Sequence, residues 1–151
     1  MKIYLDVSCL NRPFDDQSQT RIRLETEGIS EVLKGCARGD WTHVSSKMAT
    51  IEIDAIPDAE RRSRVRLLLP ARKFMLKLSN VVYARAADLE LLGFKAADAV
   101  HVAAAETLKA DVLLSCDDRL CARAWRCRDQ LKVRVANPLD WLKEVSNDDD
   151  A

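Results

Sequence analysis

Short β-branched and aliphatic runs alternate along this chain with longer stretches of helical periodicity. No other feature constrains the fold as much. The runs are residues 2–7 (KIYLDV), 41–45 (WTHVS), 81–83 (VVY), 111–115 (DVLLS) and 132–136 (KVRVA). Between the first two, apolar residues recur at Ile22, Ile29, Val32, Leu33 and Cys36, which is helical spacing over 17–36, with Gly35 and Gly39 marking its end. Further helices are expected from Asp58 to about residue 69, resuming after Pro70 to 78, then over 84–92, 95–108, 118–127 and 138–145. Asn137 and Pro138 suit the cap and first turn of the last helix. Residues 47–56 fit helix or strand, and Asn11-Arg12-Pro13 reads as a loop. Such alternation predicts an α/β fold, a mostly parallel central sheet covered on both faces, hence a three-layer α/β/α sandwich. Residues 1–145 form one domain, and 146–151 (SNDDDA) read as a flexible acidic tail.

Composition narrows the function classes. Hydrophobic residues are 48% and charged residues 32%, which fits a packed globular domain and not a disordered chain. No apolar run nears the roughly 20 residues that span a bilayer, and Asp6 interrupts the N-terminal segment before any signal-peptide core, so a cytoplasmic protein without a membrane role is expected. The 24 basic and 24 acidic residues balance, which excludes binding to nucleic acid through bulk charge alone. Five cysteines without a CxxC pair read as free, buried thiols.

In parallel α/β sheets, sites form at the carboxyl ends of the strands. There the sequence places Asp6 and Ser8 after the first run (YLDVS) and Ser115 and Asp117 after the fourth (LLSCD). Asp98 lies near the start of an alanine-rich helix, and Glu52 interrupts an apolar run. Each has a plain alternative. Asp117 could cap the next helix, Asp98 could answer a helix dipole, and Glu52 could pair with Arg61, Arg62 or Arg64. Taken together, four acids in an apolar frame repel one another, and a divalent cation relieves that repulsion. Carboxylate oxygens suit Mg2+ or Mn2+.

The pieces YLDVSCLNRPFDD, SSKMATIEID, KAADAVHVAAAETLKAD and LLSCDDRL occur in that order from about residue 3 to 141. In this combination the chain resembles the PIN-domain ribonucleases, including the VapC-like toxins of bacterial toxin–antitoxin pairs. The resemblance implies that the family's metal-site acids fall on Asp6, Glu52, Asp98 and Asp117, with Ser8 and Ser115 as their neighbouring hydroxyls. Asp54 and Asp118 are alternatives for Glu52 and Asp117. It further implies Mg2+-dependent RNA hydrolysis, a cognate antitoxin and a homodimer.

In that expectation Asp6, Asp98 and Asp117 hold metal, and Glu52 is a ligand or takes a proton from the attacking water. His101, three residues beyond Asp98, is read as a supporting hydrogen-bond partner or a core residue. RNA contacts are expected at Arg12, Arg61, Arg62 and Arg119, from a basic run over 61–77 and a second cluster after Asp117. Two competing readings are a PIN-like module that binds RNA or a partner without cutting it, and an aspartate-dependent phosphatase. The latter wants a second acid at position 8, which is Ser.

Overall fold

The computed structural model describes the backbone of residues 1–150 and the side chains of residues 1–147. Five strands form one sheet in the order β3-β2-β1-β4-β5, every neighbouring pair parallel. They are β1 (Lys2–Leu5), β2 (Thr42–Ser46), β3 (Met75–Leu76), β4 (Val112–Leu114) and β5 (Arg134–Ala136). β1 sits in the middle, with Ile3 opposite His43 on one side and Val112 on the other. Ile3, Tyr4, Leu5, Leu113 and Leu114 are wholly buried, as a parallel strand covered on both faces requires. Each aliphatic side chain so buried contributes about 1.5–3 kcal/mol.

Strand side chains alternate between the faces, so neighbours in β1 enter different cores. Tyr4 and Leu113 pack with α5 (Asn80–Leu91), α6 (Ala96–Thr107) and α7 (Asp118–Arg126), through Val82, Leu89, Val102, Ala103 and Leu120. Ile3, Leu5 and Leu114 pack with α1 (Val7–Asn11), α2 (Thr20–Arg38), α3 (Lys47–Asp54), α4 (Ala59–Arg66) and α8 (Pro138–Asp150), through Leu10, Ile29, Ile53, Val65 and Trp141. The architecture is therefore the three-layer α/β/α sandwich that the alternation predicts.

Several segments depart from expectation or settle what the sequence leaves open. Val7, read as the end of the first strand, instead begins α1. Residues 81–83 are not a strand. They lie in α5, whose start is capped by Ser79, its Oγ accepting from Val82 N–H at 3.4 Å. The outer strand is instead β3, two residues within a stretch read as helical, paired with Ser45 and Ser46. The ambiguous 47–56 segment is helical because Ser46 ends β2 and caps α3, accepting from Met48 N–H at 3.3 Å. Finally, α8 does not stop at 145; its backbone stays helical to Asp150, so residues 146–150 continue the helix. Residue 151 and the side chains of 148–150 lie outside the described residues. Among the described residues no helix is long and apolar enough to cross a membrane.

Candidate active site at the carboxyl edge of the sheet

Asp6 is the first residue past β1, and its backbone N–H still donates to Leu114 O of the adjacent strand at 3.1 Å. The chain turns at once into α1, and Asp6 caps that helix: Oδ1 accepts from Cys9 N–H at 3.0 Å and from the Ser8 hydroxyl at 2.5 Å. Only 5% of the residue is exposed. Burial pushes its carboxyl above the usual aspartate range, against the opposing pull of the Ser115 and Ser8 hydroxyls.

The neighbouring strand repeats the device. After β4, Asp117 caps α7, with Oδ1 accepting from Arg119 N–H at 2.9 Å and Leu120 N–H at 3.3 Å. The capping alternative for Asp117 is thus real, and so is the corresponding role of Asp6. Among the described residues the second oxygen of either carboxylate receives no hydrogen bond. Ser8 and Ser115 tie the two exits together. Ser8 Oγ accepts from Cys116 N–H at 3.0 Å, Ser115 Oγ accepts from Asp117 N–H at 3.0 Å, and the hydroxyls lie 3.3 Å apart.

Asp98 occupies the first turn of α6 and is partly buried. Its carboxyl is raised to about 6, chiefly by burial and then by the negative fields of Asp117 and Asp6, with Glu52 adding to them and His101 opposing. The four acids singled out in the sequence therefore share one electrostatic neighbourhood, although they come from four different connections.

Glu52 reaches that neighbourhood from α3, where its Oε1 meets Nε2 of His101. This excludes the plain alternative, a pairing with Arg61, Arg62 or Arg64. Those side chains go instead to Asp15 (2.7 Å), to Ile56 O (2.6 Å) and to Glu60 (2.6 Å). His101 is buried in α6, and its Nδ1 lies 2.6 Å from the hydroxyl of Tyr4, which lies 2.7 Å from Ser46 Oγ. Burial raises the Tyr4 phenol and keeps its proton on. Ser46 Oγ already accepts from Met48 N–H. The proton order that satisfies every acceptor is then Ser46 to Tyr4, Tyr4 to Nδ1, and Nε2–H to Glu52. Tyr4 and Ser46 are the members of this chain that sequence reading missed. Tyr4 looks like any inward residue of a hydrophobic strand.

The two alternative acids are engaged elsewhere. Asp54 receives Arg66 at 2.7 Å, and Asp118 receives both terminal nitrogens of Arg21 at 2.6 and 2.8 Å. Of the expected RNA-contacting cations, Arg12 is paired with Glu25 (3.1 Å) and Asp15 (3.2 Å), Arg61 with Asp15, and Arg62 with a carbonyl. Arg119 is exposed and makes no ion pair among the described residues. It lines a cavity of about 400 Å3 with Phe94, Lys95, Asp98 and Arg123. All five cysteines are free thiols; Cys9 and Cys116 are buried with sulfurs 3.7 Å apart, while Cys36, Cys121 and Cys127 are half-buried.

The donor set around Asp6, Asp98 and Asp117 is all carboxylate and hydroxyl oxygen, which suits a hard divalent cation. Two of these acids have an oxygen that receives no hydrogen bond among the described residues, and the third is raised by burial and, after it, by the fields of the other two. Among the described residues no three His, Cys, Asp or Glu side chains already stand together as a metal-holding group. The arrangement is thus a set of mutually repelling acids and not a closed ligand cage. Comparison with known protein families and with curated proteins gives no match to this chain.

Proposed function

We propose that the chain is a divalent-metal-dependent endoribonuclease, the toxin of a toxin–antitoxin pair. The observation that carries this reading is the placement of Asp6 and Asp117 at adjacent strand exits, tied together by Ser8 and Ser115, with Asp98 in the first turn of α6 raised by burial and by their fields. Asp6, Asp98 and Asp117 would hold Mg2+ or Mn2+. When bound, such a cation supplies charge neutralisation at a phosphodiester and a lowered pKa for water. Glu52 accepts a proton from the attacking water, and His101 holds its carboxylate in place. Ser8 keeps Asp6 oriented through its 2.5 Å hydrogen bond, and Ser115 fixes the backbone at Asp117. The products on this reading carry a 5′-phosphate and a 3′-hydroxyl. No histidine nucleophile takes part.

The resemblance to PIN-domain toxins supports the remaining parts of the proposal, a cytoplasmic homodimer neutralised by an antitoxin. Leu67, Val81 and Leu91 are large apolar side chains at the surface, which such contacts would cover.

The test is incubation of purified protein with total RNA, with Mg2+ or with EDTA. Cleavage is expected with Mg2+ alone, and Asp6→Asn and Asp98→Asn are expected to lose at least about a hundredfold in rate. Asn preserves the Oδ1 acceptor that caps α1. Mg2+ should also raise the thermal midpoint of the natural chain and not that of Asp98→Asn. Cleavage that survives either substitution, or that proceeds in EDTA, sinks the reading.

A further inference from the structure

The cavity beside Asp98 gathers four cations that the protein leaves unpaired among the described residues. It is lined by the Gly93–Lys95 turn that leads into α6 and by one face of α7. Arg119, Arg123 and Arg126 fall on that face at helical spacing, and Lys95 lines the same cavity from the turn before α6. Among the described residues none of these four side chains makes an ion pair or a side-chain hydrogen bond. Of the two acids in the lining, Asp118 is held by both nitrogens of Arg21, and Asp98 belongs to the acidic set.

The basic helix α4 presents the opposite picture. Arg61, Arg64 and Arg66 of α4 are each within 2.7 Å of a carboxylate oxygen, and Arg62 is spent on Ile56 O. An arginine already paired must break that pair before it can hold a phosphate, so α4 is the weaker candidate despite its higher charge density.

Arg123 is also placed in advance. Gly93 has φ +103, the left-handed region, and a Cβ there would lie 2.8 Å from Arg123 Cζ and 2.9 Å from Nε. The half-buried guanidinium therefore lies in the space a side chain at position 93 would fill, with no ion pair among the described residues. An unpaired cation fixed by packing loses little freedom when an anion arrives.

The geometry points to this cavity as the site for the sugar–phosphate backbone of single-stranded RNA on one side of the cleavage point, with Lys95, Arg119, Arg123 and Arg126 holding its phosphates. The inference rests on the ribonuclease reading for the identity of the strand. It adds which way that strand leaves the acids: along α7, away from α4.

Binding of a fluorescein-labelled, single-stranded RNA of about ten nucleotides, followed by anisotropy in EDTA, tests this without requiring cleavage. Lys95→Gln and Arg123→Gln are each expected to weaken binding by roughly fivefold. Each should also reduce the slope of log affinity against log salt, between about 50 and 200 mM, by about 0.7. Lys95 is exposed and supports no packing, so its variant keeps the test valid should Arg123→Gln unfold. Arg64→Gln, on the paired region, is expected to change neither quantity. The inference is overturned if the natural chain does not bind, if both cavity variants match it, or if Arg64→Gln loses as much. It is also overturned if inorganic phosphate displaces the RNA at equal concentration, which marks a simple anion site. Salt-dependent binding lost in the cavity variants, in a protein that never cleaves RNA, would remove the nuclease reading and leave the groove. Cleavage that is indifferent to Lys95 and Arg123 would do the reverse.

Discussion

At Tyr4 one phenolic hydroxyl serves two neighbours, Ser46 and His101, and through His101 it reaches Glu52. Tyr4→Phe keeps the ring in the core and removes only that hydroxyl. The His101 Nδ1 then loses its donor in a buried place, at a cost of about 1–3 kcal/mol. The sharper readout is the ring itself: 15N spectra should show Nε2–H in the natural chain and a mixture of tautomers in the variant. If the role is positioning, the cleavage rate should fall more than substrate affinity does. An unchanged tautomer would show that Tyr4 does not order His101. The contrast between Tyr4 and Glu52 also shows what was legible residue by residue. Glu52, Asp98, Asp6 and Asp117 stood out because an acid in an apolar context is anomalous. Tyr4 was hidden because an aromatic in a strand is ordinary until its hydroxyl is seen to have partners.

Among the elements, α2, α8 and the turn carrying Arg12 are joined by one buried carboxylate. Glu25 is wholly buried within α2, with Arg12 Nε at 3.1 Å, Arg21 Nε at 3.5 Å and Asn137 Nδ2 at 2.6 Å. Asn137 at the same time caps α8, its Oδ1 accepting from Leu139 N–H at 2.8 Å. Glu25→Ala leaves Arg12 without its closest buried partner and frees the cap residue. Its expected cost is about 3–5 kcal/mol in chemical denaturation, far more than an exposed acid would show. A loss below about 1 kcal/mol would mean the cluster contributes little. Element boundaries were legible where period and cap agreed, as at Asp58, Asn137 and Asp117. They were not legible at 81–83, where three β-formers carry too little periodicity to outweigh the Ser79 cap and the helical spacing of Val82, Ala86 and Leu89. A two-residue strand such as β3 has no period to read at all.

For the whole molecule, the balance of 24 basic and 24 acidic residues resolves into local fields. Acids gather at the strand exits, many arginines are consumed in internal pairs, and unpaired cations line the cavity along α7. Global stability should carry a separate trace of His43 in β2. Burial lowers its pKa from 6.5 to about 4, and its Nε2 has no hydrogen-bond partner among the described residues. Between those values the unfolded chain binds a proton that the folded chain refuses, so stability falls as pH drops through the window, by at most about 1.4 kcal/mol per pH unit. His43→Leu should flatten that part of the pH–stability curve, measured by urea titration; an unaltered slope would assign it to other groups. By itself, the sequence determined the α/β sandwich, the central strands and the four acids, because hydrophobic period, turn residues and charge in an apolar context are local signals. Tertiary structure alone decided that Glu52 turns toward His101 while Asp54 turns toward Arg66, and which cations remain unpaired. Those outcomes depend on which side chains meet across β1, α3, α6 and α7, and no spacing along one segment encodes that meeting.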